Sequence, residues 1–269
     1  MKLAAAGLAL APLLVVQGRR VRRIALRLPE AAGPREGAAG RSPERAARTL
    51  RLLVVGDSSA AGVGAPTQDD ALAGNLARAL LGANPESAAG PAPPVAPDRV
   101  EWSLAARTGA NAAEALGMIE ALAPRGCDLA VVAVGVNDVT GATPPARWLR
   151  VVERLASTLQ HRHGAACVIV SGLPPMHRFP LLPQPLRWYL GARARHLDEA
   201  LARRCAGQPA MRHLPLPALA DRSLMAEDGF HPSPAGYRVW AGALAAEAAR
   251  ALPSLMAGRP AAAASASTK

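Results

Sequence analysis

Three short runs of unbroken apolar residues, each ending in glycine or a small polar residue, constrain this fold more than any other feature. They are LLVVGDS at 52–58, LAVVAVG at 129–135 and CVIVSGL at 167–173. Runs this short are strand-sized, and the lack of apolar–polar alternation means that both faces of each strand are buried. A parallel sheet covered on both sides by crossover helices has that property. Residues 100–104 add a further strand and residues 211–214 a weaker one. Helical stretches separate them: 69–81, a helix capped by Asn111 and running to about 122, one opened by Pro144 and Pro145 and reaching about 161, then 186–204 and 234–252. The alternation predicts an α/β fold, a doubly wound five-stranded parallel sheet with helices on both faces in an α/β/α sandwich.

A chain of 269 residues, 50% of them hydrophobic, has enough apolar surface for one sizeable core. That domain is placed at residues 50–253. Residues 27–49 mix Pro, Gly, Ala and charge without a sustained period and read as a linker, and residues 254–269 read as a disordered tail. Residues 85–97, with five prolines, read as a loop.

In the N-terminal segment, 1–26, an apolar run from 3 to 16 is followed by Arg19, Arg20, Arg22 and Arg23. The run has the length of a signal-peptide core but is short for a bilayer span, and the arginines favour retention on the cytoplasmic side. A membrane-associated anchor with the domain facing the cytoplasm is the leading reading. An exported, periplasmic protein with a secretory signal comes second, and an ordinary N-terminal helix in a cytoplasmic protein third.

The net charge of +11 is almost wholly arginine, since Lys2 and Lys269 are the only lysines, and aromatics make up 3% of the chain. No basic–aromatic interleaving or recognition motif accompanies the charge, so nucleic acid is not expected as a partner. Cys127, Cys167 and Cys205 form no C-x-x-C pair and read as small buried residues. Neither a metal nor a cofactor is expected.

Ligands of doubly wound sheets bind at the carboxyl ends of the strands. There this sequence places Gly56, Asp57, Ser58 and Ser59 after the first strand, Gly109 after the second, and Gly135 to Asp138 after the third. Far downstream, DGFHPSPAGY at 228–237 precedes the last helix. A serine hydroxyl becomes an effective nucleophile only beside a base that a third group orients. Ser58, His231 and Asp228 are candidates for these three roles, and the backbone N–H of Ser58, that of Gly109 and the Asn137 amide are candidate oxyanion donors.

Plainer roles are open to each: a helix cap for Ser58, a turn before Gly229 for Asp228, an Asx-turn for Asn137. Their ordered combination favours the chemical reading. Asp57 and Asp138 are expected to bond loop backbone, and the histidines at 161, 163, 177, 196 and 213 to be structural. Gly62 and Gly64 begin a G-x-G-x-x-G pattern that Thr67 breaks, and the G-x-S-x-G elbow fails at Ala60.

This set of residues resembles the SGNH or GDSL-like hydrolase family, through VVGDSSAAGVG at 54–64, RTGAN at 107–111, VGVND at 134–138 and DGFHPSPAGY at 228–237. The resemblance implies a flavodoxin-like fold, with Ser58 as nucleophile and oxyanion donor, Gly109 and Asn137 completing the oxyanion hole, Asp228 orienting and His231 acting as base. It implies cleavage of carboxylic esters through an acyl-enzyme, in the manner of an esterase, lipase, lysophospholipase or thioesterase. Carbohydrate O-acetyl esterase and acyltransferase activities fit the same site, and a non-catalytic binding module on this fold is the reading from another class. The expected partner is a small-molecule ester or lipid, with membrane association through residues 3–23, and a monomer is assumed. Loops 60–70, 139–147 and 174–186 are expected to shape the acyl pocket.

Overall fold

The computed structural model describes residues 2–82, 96–217 and 221–251. Its five parallel strands are β2 (Thr49–Gly56), β3 (Arg99–Ala106), β4 (Leu129–Ala133), β5 (Cys167–Ser171) and β6 (Met211–Leu214), and β1 (Glu36–Gly40) lies antiparallel along β3. The sheet order is β1-β3-β2-β4-β5-β6. Counting the parallel strands alone, this is the 2-1-3-4-5 order of flavodoxin-like sheets, and the order reverses between β2 and β4.

All five parallel strands read from the sequence form, but the segment read as a linker also contributes the edge strand β1. That strand carried no apolar signal because its EGAAG sequence lies over a bulky neighbour. A Cβ on Gly37 would come within 2.7 Å of the Trp102 ring, so small residues are required there.

The two faces of the sheet bury different helices. Leu53, Val55, Ala130, Val132, Val168 and Val170 pack with α4 (Ala112–Ala121), α6 (Pro145–His163) and α7 (Leu186–Cys205). Leu52, Val54, Val131 and Ile169 pack with α3 (Leu72–Gly82) and α8 (Pro234–Ala249). Each such Leu or Val, fully buried, stabilises the fold by roughly 1.5–3 kcal/mol relative to an exposed one.

Local signals set the helix ends. Asn111 accepts from the N–H groups of Ala113 and Glu114 while Glu114 reaches back to the Asn111 N–H, a capping box. Gly164 closes α6 at φ +79°, and Ser233 and Pro234 open α8. The short helix α5 (Val136–Thr140) starts directly after β4. The last helix ends at Ala249 with Arg250 as its cap, short of the 252 expected; most of the proline-rich loop 85–97 and the tail 254–269 lie outside the described residues.

The N-terminal segment forms two helices, α1 (Lys2–Ala9) and α2 (Ala11–Ile24), with Pro12 in the first turn of α2. Leu14 and Val21 are buried in the same core as α7. Gln17 donates to Gln184 O at 2.7 Å and accepts from Leu186 N–H at 3.1 Å. At Gly7 the backbone of α1 lies so close to Tyr189 that a Cβ would come 2.5 Å from its hydroxyl oxygen. Among the described residues, no helix is long and apolar enough to cross a membrane.

Candidate active site

The ends of β2, β3 and β4, with the turn before α8, bring the predicted residues into one cleft of about 1590 Å³, lined by Ser58, Gly109, Asn137, Asp228 and His231. After β2 the chain turns sharply. Asp57 N–H donates to Ala133 O on β4, and the Asp57 carboxylate accepts the Ser59 N–H at 3.0 Å, which presents Ser58 to the cleft.

Ser58 Oγ lies 2.8 Å from His231 Nε2, and His231 Nδ1 lies 2.5 Å from Asp228 Oδ2. The other Asp228 oxygen accepts the backbone N–H of Phe230 at 2.9 Å and of His231 at 3.0 Å, so one tight turn holds acid and base together. Burial alone would raise the Asp228 pKa. The bonds from the His231 ring and from the His231 and Phe230 backbones outweigh it and hold the carboxyl below its ordinary value. Ser58, and not Ser59, makes the bond to His231.

Two packing contacts fix this turn against the loop after β2. Tyr237, fully buried in α8, donates its hydroxyl to Val63 O at 2.7 Å. Gly64, at φ +96°, lies where a Cβ would come 2.4 Å from Pro232 O. Close approach of the two loops therefore explains Gly64, whereas a Cβ on Gly62 would come 2.6 Å from the side chains of Ala31 and Ala71.

Asn137 Nδ2 donates to Ala110 O at 2.9 Å, tying the loop after β4 to the one carrying Gly109. An amide has two N–H donors and this bond uses one. Gly109 adopts φ +83°, a left-handed backbone that favours glycine although open space surrounds its Cβ position. Asp138 accepts the N–H of Ala112 at 2.9 Å and Asp57 that of Ser59, the backbone roles expected of both. Burial also pushes the Asp57 carboxyl up to about 6.

Two contributions escaped the sequence reading. Within the segment read as a linker, Glu30 accepts the backbone N–H and the hydroxyl of Thr108, each at 2.8 Å, next to Gly109. Arg35 pairs with Glu30 and donates to Ala106 O. The second is α2, whose Ala11, Leu14, Gly18 and Val21 form one wall of the cleft.

The expectation for the loops needs correction. The loops at 139–147 and 174–186 do contribute lining, but residues 60–70 do not. They fold back on Ala31, where Gln68 Nε2 donates to the carbonyls of both Ala31 and Ala61. Phe179 meets Phe230 edge-on at 5.6 Å, so the loop 174–186 packs directly on the turn that carries Asp228 and His231. No group of His, Cys, Asp and Glu side chains able to hold a metal occurs among the described residues.

The model of the GDSL-like lipase/acylhydrolase family matches residues 54–239, which contain all five of these cleft residues. Among solved structures, TesA is 22% identical, with 72% of this chain and 96% of that chain covered at a TM-score of 0.51. The psychrotrophic esterase EstA from Pseudoalteromonas sp. is 14% identical, with 76% and 98% covered at a TM-score of 0.52. A carbohydrate esterase family 2 enzyme with a carbohydrate binding domain, from Corynascus thermopiles (Myceliophthora fergusii), is 15% identical, with 84% and 69% covered at 0.51. At these identities the likeness is one of fold. A search of curated protein sequences finds no match.

Proposed function

The chain belongs to the GDSL-like lipase/acylhydrolase family, and on that premise we propose that it is a serine esterase that cleaves carboxylic esters through an acyl-enzyme. The observation that carries this reading is the continuous chain of hydrogen bonds Ser58–His231–Asp228 opening into an apolar cleft. Ser58 Oγ attacks the acyl carbonyl carbon as His231 Nε2 takes its proton. Asp228 fixes the ring orientation and stabilises the imidazolium formed. The oxyanion is met by the N–H groups of Ser58 and Gly109 and by the Asn137 amide. His231 then protonates the leaving oxygen or sulfur, and water, deprotonated by His231, releases the acid and regenerates Ser58.

The cleft walls favour an acyl chain attached to an anionic leaving group. Leu14, Val21, Leu173, Met176, Phe179 and Leu182 supply the apolar lining, while Arg19, Arg22, Arg178 and Arg222 also face the cleft. An ester or thioester whose alcohol or thiol carries phosphate, as in a lysophospholipid, matches that pairing of apolar wall and guanidinium groups. A panel of p-nitrophenyl esters and acyl thioesters of increasing chain length tests the reading. It predicts that kcat/KM rises with chain length, and that the activity is abolished in Ser58→Ala. Activity confined to acetyl esters would refute the acyl-chain assignment.

A further inference from the structure

We propose that the outer face of the α1–α2 pair is a docking surface for an anionic lipid bilayer. Among the described residues, eight large hydrophobic side chains are exposed, and six of them fall within residues 8–26: Leu8, Leu13, Val15, Val16, Ile24 and Leu26. A seventh, Trp188 in the first turn of α7, donates its backbone N–H to the side chain of Gln184, the residue whose carbonyl Gln17 of α2 bonds. Such clustering on one side of a molecule marks an interaction surface, whereas scattered exposed apolar residues do not.

The spacing separates two faces of α2. Leu14, Gln17 and Val21 turn inward to the domain, while Leu13, Val16, Arg20 and Ile24 recur three or four residues apart on the outside, with Arg23 beside them. At about 1.5 Å per residue, a 14-residue helix reaches only about 21 Å, short of the roughly 30 Å hydrocarbon core. A helix of this length with basic and apolar residues on its outer face suits the headgroup–acyl boundary, where arginine stems bury and guanidinium groups reach phosphate.

Charge selects the lipid over a second copy of the chain. The first acidic residue in the sequence is Glu30, and among the described residues Arg19, Arg20, Arg22 and Arg23 form no ion pair. A two-fold dimer through this face would set these arginines against their own copies. An anionic bilayer supplies the missing counter-charge. Ala11, Val15, Gly18 and Arg22, which border the cleft, lie about half a turn round α2 from this face, so a bilayer seated there leaves the cleft lining uncovered.

The test is co-sedimentation of the full chain with vesicles of phosphatidylcholine alone or mixed equally with phosphatidylglycerol, at low and high salt. Two variants that spare the cleft lining are compared: Leu13→Ser/Val16→Ser/Ile24→Ser and Arg20→Gln/Arg23→Gln. The expected result is binding to the mixed vesicles that weakens with salt, is lost in the apolar variant and falls about thirtyfold in the arginine variant. Turnover of a soluble short-chain ester stays unchanged in both, which separates this surface from the esterase reading. Failure of the wild type to bind mixed vesicles, or equal binding by the arginine variant, would overturn the proposal. So would light scattering that shows a dimer which the apolar variant turns into a monomer, because the face would then belong to a second copy.

Discussion

Glu30 holds Thr108 by two hydrogen bonds to one carboxylate oxygen, across 78 residues of sequence. Burial acts to raise the Glu30 pKa, but the Thr108 bonds and the neighbouring Arg35 more than offset it, so the carboxylate is held in its charged form. The bond fixes the backbone immediately before Gly109. Glu30→Ala should therefore lower kcat on a soluble ester about tenfold with little change in KM, since the oxyanion donors act mainly on the transition state. Glu30→Gln, which keeps an acceptor oxygen, should restore most of the rate. Equal losses in the two variants, or a rise in KM alone, would remove Glu30 from this positioning role.

Asn137 offers a more direct measure of the oxyanion site. If Asn137 supplies an oxyanion donor as proposed, Asn137→Ala should cost about 10²–10³ in kcat. It also deletes the bond to Ala110 O, so the melting temperature must be measured alongside. A kcat within threefold of wild type would place the oxyanion elsewhere.

Asp57 gives a pH signature. Desolvation raises its carboxyl to about 6 from an ordinary 3.8, despite the Ser59 N–H bond and the nearby His231, which act to lower it. A carboxyl with a folded pKa above its unfolded one takes up a proton on folding, so stability falls as pH rises from about 4 to about 6 and stays lower above that. Asp57→Asn keeps the acceptor oxygen and removes this penalty. Its stability gain in urea melts should grow from pH 5 to pH 7 and then level off, reaching at most about 3 kcal/mol. A gain independent of pH would show that Asp57 does not titrate in this window.

Gly18 tests the wall supplied by α2. It lines the cleft, and nothing lies within 4 Å of the position its Cβ would occupy. Gly18→Phe should enter the cleft without displacing its neighbours. It should reduce kcat/KM for long-chain esters at least about tenfold, on the order of one to two methylenes of lost apolar contact, while acetyl ester turnover is kept. A uniform change across chain lengths would mean that the acyl chain takes another path.

The sequence exposed those parts of the molecule whose signals are local. Unbroken apolar runs at β2, β4 and β5 revealed the parallel sheet, because strands buried on both faces admit almost nothing else. Asn111 marked a helix start through cap chemistry acting over two or three residues, and the structure adds Glu114 as the other half of the box. The juxtaposition of Ser58 with His231 spans 173 residues: the strand-end rule placed Ser58, while His231 stood out through Asp228 three residues before it in the segment leading into the last helix.

Features that depend on a distant partner were hidden. β1 pairs with β3 through residues small enough to lie over Trp102. Glu30 is ordinary until the fold brings Thr108 to it. In α2 the inward stripe of Leu14, Gln17 and Val21 was masked by equally apolar residues on the outer face.

Ser58 is the proposed nucleophile, and reaction with a fluorophosphonate followed by intact-mass and peptide analysis reads it out. One adduct per chain is predicted, located on Ser58, absent in Ser58→Ala and formed about 10³-fold more slowly in His231→Ala. An adduct on Ser59 or any other residue, or unchanged ester turnover by Ser58→Ala, would contradict it.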